Sequence, residues 1–256
     1  MALLEVRDLS KAFAGVQAVD GVSFDLADGE RLAMIGPNGA GKSTCFNLLN
    51  GQLRPDRGTI LLGGVAITGL APHQIWRHGV GRTFQITATF GSMCVAENVQ
   101  MALLSWHHQS RSLWRPARRM FREQAHHLLE QVGLLDQAGR RAGVLAYGDL
   151  KRLELAVSLA NHPRLLLMDE PTAGMPGAER EALMRLVEGI VSSEGISVLF
   201  TEHDMDTVFN HASRILVLHK GAVLCSGSAA TVRSDPRVQE IYLGADPPGA
   251  GAGGHA

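Results

Sequence analysis

Residues 36–44 of this chain, Gly36-Pro37-Asn38-Gly39-Ala40-Gly41-Lys42-Ser43-Thr44, fit the spacing G-x-x-x-x-G-K-[ST] position for position. These residue types suit the capture of a triphosphate. Gly36, Gly39 and Gly41 allow the backbone to turn its N–H groups inward as a nest for phosphate oxygens. Lys42 brings a positive charge to the β- and γ-phosphates, and the Ser43 hydroxyl can ligate Mg²⁺. A helix opening near Lys42 adds its positive end. The apolar run Leu32-Ala33-Met34-Ile35 before the loop reads as a buried strand, and Cys45-Phe46-Asn47-Leu48-Leu49 after it reads as a helix. In that context the segment predicts a site for a nucleoside triphosphate with Mg²⁺.

A phosphate loop alone leaves kinases, GTPases and transport ATPases open. Asp169 and Glu170 narrow the choice. They follow Leu165-Leu166-Leu167-Met168, which reads as a buried strand, so both acids sit at its carboxyl end. There Asp169 can reach the metal shell, while Glu170, aimed differently, polarises an attacking water. Pro171 and Thr172 then stop the strand. His203 follows another apolar strand, Ile196–Thr201, at the same sheet edge, where it can donate to the γ-phosphate. Gln85 ends Gly81-Arg82-Thr83-Phe84-Gln85; a neutral amide there can touch the metal or the water and still let go. Leu145-Ala146-Tyr147-Gly148-Asp149 opens a helix whose apolar residues recur at 150, 153, 156, 157 and 160, with Lys151, Arg152 and Glu154 on the wet side. That segment reads either as a capped surface helix or as a second anion site.

The elements that must position these groups alternate along the chain. Strands are expected at about 3–8, 17–26, 31–35 and 58–62, with turns at Asp28-Gly29, Asp56-Arg57-Gly58 and Gly63-Gly64. Pro72 to His78 suits a short helix, and helical periodicity dominates about 95–135. Helices near 150–160 and 178–193 separate the two buried strands, and Ile215–Leu218 with Ala222–Leu224 form a closing hairpin through His219-Lys220-Gly221. The pattern predicts an α/β fold: a mainly parallel sheet wrapped by helices, with the middle third as a helical insertion. The tail from Gly244 to Ala256 is glycine, proline and alanine with little to bury, so it is expected to be mobile.

A chain of 256 residues suffices for one such domain with an insertion. Its net charge of −1 is no polyelectrolyte for nucleic acid, and no nucleic-acid partner is expected. Cys45, Cys94 and Cys225 lie far apart without C-x-x-C spacing, which argues against a disulfide framework or zinc and for a reducing cytosol. The start of the sequence lacks the pattern of a secretory signal, and no apolar run approaches the roughly 18 residues of a membrane span. Work at a membrane would therefore go through a partner.

Taken in order, the phosphate loop 36–44, Gln85, the signature 145–149, the pair Asp169-Glu170 and His203 resemble the ATP-binding subunit of ABC transporters. The resemblance covers roughly residues 3–244 and implies a P-loop NTPase of the ABC type, with antiparallel N-terminal strands and a helical subdomain. It places an ABC ATPase domain at 1–244, a helical subdomain at about 86–160 inserted in the core, and a flexible tail at 245–256. It implies that Phe13 stacks on adenine, that Gln85 with Ser43 and Asp169 attends the metal, and that Lys42, Gln85, Glu170 and His203 carry catalysis. It also implies that residues 145–149 bind the nucleotide of a neighbouring cassette, so that ATP joins two ABC ATPase subunits, copies or paralogues, head to tail.

Ala146, Tyr147 and Asp149 depart from the family pattern L-S-G-G-Q: either the site is degenerate and hydrolyses poorly, or the Gly148 backbone and the helix amino end make the phosphate contact, the reading favoured by intact Lys42, Ser43, Asp169, Glu170 and His203. Ala173-Gly174-Met175-Pro176 is also less usual. The signature region, Gly81–Gln85, Glu202–Asp206 and Asp235–Gly244 are similar to the branch that imports branched-chain amino acids, whose relatives carry urea, amides or aromatic acids. Membership implies integral membrane permease subunits docked on Ile86 to Val99, an extracytoplasmic solute-binding protein, and a peripheral place on the cytoplasmic face of the inner membrane. A non-transport ABC-type ATPase acting as a regulatory clamp on nucleic acid or a soluble partner is the alternative; such proteins usually have two cassettes or a long coiled-coil insertion, and this sequence has neither. Arg111, Arg115, Arg118, Arg119 and Arg122 form a basic cluster that reads as a solvated face or as a contact for anionic lipid or a partner loop.

Overall fold

Alternating side chains along four central strands separate two apolar clusters, and that separation defines the architecture. In the computed structural model, which describes residues 2–83, 89–107 and 120–243, the first half runs β1 (Ala2–Phe13), β2 (Val16–Ala27), β3 (Arg31–Ile35), α1 (Lys42–Leu49), β4 (Arg57–Leu62), β5 (Val65–Ala66), α2 (Pro72–Arg77), β6 (Val80–Thr83) and α3 (Val95–Trp106). Next come α4 (Arg122–Gln131), α5 (Tyr147–Leu159), β7 (Leu165–Asp169), α6 (Gly177–Glu194), β8 (Ser197–Thr201), α7 (Met205–His211), β9 (Arg214–His219), β10 (Ala222–Gly227), α8 (Ala229–Ser234) and α9 (Pro236–Leu243). One sheet, ordered β2-β1-β4-β5, is antiparallel; the other, ordered β10-β9-β3-β8-β7-β6, is parallel except for the β9–β10 hairpin.

Strands β3, β7, β8 and β9 are buried on both faces, which is why they read as unbroken apolar runs. Ala33 and Ile35, Leu166 and Met168, Val198 and Phe200, and Ile215 and Val217 turn toward helices α3 to α6. Their alternates, Leu32 and Met34, Leu165 and Leu167, Leu199, and Leu216 and Leu218, turn toward α1 and the antiparallel sheet. The α/β reading of the sequence holds. Helices α3, α4 and α5 pack on one another and lie in sequence between β6 and β7, which are neighbours in the sheet.

One strand goes beyond the sequence reading, and one expectation fails. Val80–Thr83, where the sequence pattern predicts no strand, is a strand paired with β7; a glycine and an arginine break its apolar pattern, yet backbone pairing carries it. Lys151 and Glu154, expected in water, are buried, because α5 is enclosed by α3, α4, β6 and α6. Their charges neutralise each other across 3.1 Å. Gln85, the arginines at 111, 115, 118 and 119, and the tail 245–256 lie outside the described residues; Arg122 is exposed. Among the described residues no helix is long and apolar enough to cross a membrane.

Candidate functional site

Sheet order decides which motifs meet. β8 lies between β3 and β7, with Asp169 in register with Thr201. The phosphate loop leaves β3, the acidic pair ends β7 and His203 follows β8, so all three gather at the carboxyl ends of adjacent parallel strands.

The loop turns where only glycine is comfortable. Gly41 caps α1 at φ 102°, and a Cβ there would stand 2.5 Å from the carbonyl oxygen of Ala18. The β9–β10 turn, with Lys220 and Gly221 both left-handed, braces it: Gly221 N donates to Ala40 O at 3.1 Å. Lys42, a residue only 7% exposed, donates from Nζ to Gly36 O at 2.6 Å and Pro37 O at 3.2 Å. Burial pulls the Lys42 pKa down, opposed by the charges of Glu170 and Asp169. A cavity of about 270 Å³ is lined by Ala18, Asn38, Gly39, Ala40, Gly41, Lys42, Ser43, Thr44, Glu170 and His203.

Thr201, which the sequence did not single out, organises the acids. Its hydroxyl donates to Asp169 Oδ1 at 2.8 Å and accepts from the Glu170 amide at 3.0 Å. Glu170 adopts φ 49°, an uncommon conformation for this residue type, with its amide also reaching Thr201 O at 3.2 Å. Its Oε1 lies 2.8 Å from His203 Nε2. Arg82, likewise missed, sits 3.5 Å from Asp169 Oδ2 and donates to Asn47 Oδ1 on α1 at 3.0 and 3.1 Å. Burial lowers its pKa while Asp169 raises it. Glu202 is buried, which pushes its carboxyl pKa up, and accepts from the Thr172 amide and hydroxyl at 2.9 and 2.6 Å. Apolar strand ends hide these partners from any spacing rule. Only the register Asp169↔Thr201 could have flagged Thr201.

Phe13, 44% exposed at the end of β1, does not belong to the core. The segment 145–149 stands apart from the cavity, whose lining includes none of its residues. Ala146 caps α5, Asp149 lies in its first turn and accepts from Gln137 Nε2 at 2.9 Å, and Tyr147 is half exposed.

The sequence pattern of the ABC transporter family matches residues 19–173. The chain belongs to the ABC transporter ATP-binding family. A second family, the branched-chain amino acid ATP-binding cassette transporter, matches residues 222–247. The high-affinity branched-chain amino acid transport ATP-binding protein BraF of Pseudomonas aeruginosa is 40% identical over 255 residues, covering 94% of this chain and 98% of BraF. LivG of Escherichia coli, which carries the same description, is 38% identical over 252 residues, with 94% of this chain and 98% of LivG covered. Among solved structures, an ABC transporter ATP-binding cassette in its ADP conformation superposes with a TM-score of 0.85 at 32% identity, over 96% of this chain and all of that one. A nucleotide-free cassette of an ABC transporter matches with a TM-score of 0.85 at 31% identity, with the same coverage. This ABC subunit is therefore an ATP-binding ATPase.

Proposed function

We propose that this ABC subunit hydrolyses ATP to power an importer of branched-chain amino acids or related small polar solutes. The observation that carries the reading is the single cavity into which the phosphate loop, Glu170 and His203 all open. BraF and LivG supply the substrate class, since both are described as branched-chain amino acid transport proteins.

The loop amides and Lys42 bind the triphosphate, and Phe13 offers its exposed ring to the adenine. Ser43 and Asp169 present only hard oxygen donors, a set that fits Mg²⁺ sharing its shell with phosphates and water. Bound there, Mg²⁺ would neutralise charge on the phosphates. Glu170 accepts a proton from water at the γ-phosphate, and His203, now on Glu170, turns its Nε2 toward the phosphate oxygens. Gln85 attends the metal from the segment that follows β6. Residues 145–149 face the nucleotide of a second cassette, so two subunits close over two ATP molecules and each completes the other's site. Permease subunits dock on 86–99, and the helical subdomain at about 86–160 moves with them. Those partners hold the chain at the cytoplasmic face of the membrane.

The test is reconstitution of the purified subunit with its permeases and solute-binding protein in vesicles. ATP-driven leucine uptake is expected. ATP hydrolysis that ignores every branched-chain, amide and aromatic solute, with no membrane protein co-purifying, would remove the importer reading.

A further inference from the structure

The loop that leaves Glu170 is held on its inner side by its own strand ends. Thr172 is bonded to Glu202 through both amide and hydroxyl, and the Ala173 amide donates back to Glu170 O at 3.2 Å. On its outer side a side chain from another element reaches it. The Tyr147 hydroxyl, in the first turn of α5, donates to Ala173 O at 3.0 Å. Its ring covers the next residue, since a Cβ on Gly174 would lie 4.0 Å from Tyr147 Cε1. Lys151 Nζ sits 5.5 Å from the ring centre, fixed by its buried pairing with Glu154. Beside it, a Cβ on Gly148 would come within 3.1 Å of Glu179 Oε2, so the opening of α5 is pressed onto α6 as well. A half-exposed tyrosine held by a hydrogen bond, a ring contact and a cation is no idle surface residue.

We infer that Tyr147 is a positioning residue that ties the signature end of α5 to Glu170 of the same chain, so that closure over a neighbour's nucleotide sets the aim of this chain's own water-activating carboxylate. The inference rests on the two-cassette reading proposed above. The chain of contacts is short: α5 opening, Tyr147 hydroxyl, Ala173, Glu170. Glu170 holds an uncommon backbone conformation, which persists only when its surroundings over-determine it, so the residues that follow it help to fix its aim. The position matters because Tyr147 stands where the family pattern has glycine, which carries no hydroxyl to make this bond.

The experiment compares full-length wild type, Tyr147→Phe and Tyr147→Ala, assembled with the permeases for turnover and as the separate chain for melting and fluorescent-ATP binding. Tyr147→Phe is expected to lower kcat about fivefold, the loss of one neutral hydrogen bond, with KM within about twofold and Tm within about 2 °C. Tyr147→Ala is expected to do no better. In a Glu170→Gln background, chains with Tyr147 and with Tyr147→Phe should both dimerise on ATP. A kcat for Tyr147→Phe within twofold of wild type overturns the inference, as does a kcat loss that follows a matching loss of Tm. If only the Tyr147→Phe double variant fails to dimerise, Tyr147 acts across the interface and the strut is wrong. If Glu170→Gln alone fails to dimerise, the two-cassette reading falls and takes this inference with it.

Discussion

Two helices of this molecule begin in loops that the sequence marks as anion sites, and they are built to opposite plans. α1 opens at Gly41 with no acid in its first turn, and Lys42, Glu170 and His203 converge on the cavity before it. α5 opens at Ala146 with Asp149 in its first turn, already bonded to Gln137, and beside it Val144 and Tyr147 are exposed at 63% and 44%. The first end has donors, a cation and an acid within one chain. The second has an amide end, part of whose positive charge is offset by its own carboxylate. The first end brings its groups together within one chain; on the two-cassette reading proposed above, the second is half of a site and a second chain brings the rest.

The comparison can be broken most severely at the complete end. Glu170→Gln should lower turnover by about 10³-fold, within the range of a lost general base, while ATP and Mg²⁺ trap a dimer in gel filtration. A monomer with intact nucleotide binding would leave the signature end without a use. Lys42→Ala should weaken ATP binding about 100-fold, since a buried cation that bonds Gly36 and Pro37 is poised for transfer to phosphate. Micromolar affinity retained in titration calorimetry would undo the assignment of the loop.

At the incomplete end the effects are structural before they are chemical. Lys151→Met removes the cation 3.1 Å from the buried Glu154 carboxylate and should cost about 3 kcal/mol, a fall in Tm of roughly 6–12 °C by calorimetry. A melting point unchanged by that substitution would mean the pair is not buried in solution. The smallest effect is expected from Ala146→Ser, which restores the family hydroxyl: turnover should change by less than about tenfold, because the backbone and helix end carry the contact. A rise of about 100-fold, roughly 2.7 kcal/mol of barrier, would show that the alanine had crippled the site.

The difference in legibility between the two ends has a physical cause. The phosphate loop, Asp169-Glu170 and His203 were readable because each is tied to a fixed spacing or to the end of an apolar run. The α/β alternation followed from the same runs. What escaped notice depends on contacts between distant residues. Arg82 carries no sequence signal of its own, since Val80–Thr83 has the weak pattern of an edge strand; yet its guanidinium bridges α1 and Asp169. Lys151 and Glu154 obey a helical period that places charges outward, and only the packing of four elements around α5 turns that side inward. Helices α7, α8 and α9 also went unread, being short segments in which polar residues obscure the period.

Local chemistry alone therefore marked a phosphate-binding spacing on a strand–loop–helix unit and placed two acids at the end of a buried strand, because spacing and strand ends are properties of neighbouring residues. Tertiary structure alone decided that Thr201 shares its hydroxyl between the two acids, that Arg82 reaches Asp169, and that Tyr147 touches the loop behind Glu170. Those contacts join residues far apart in the chain, and only the stacking order of the strands and the docking of α5 bring them within hydrogen-bond reach.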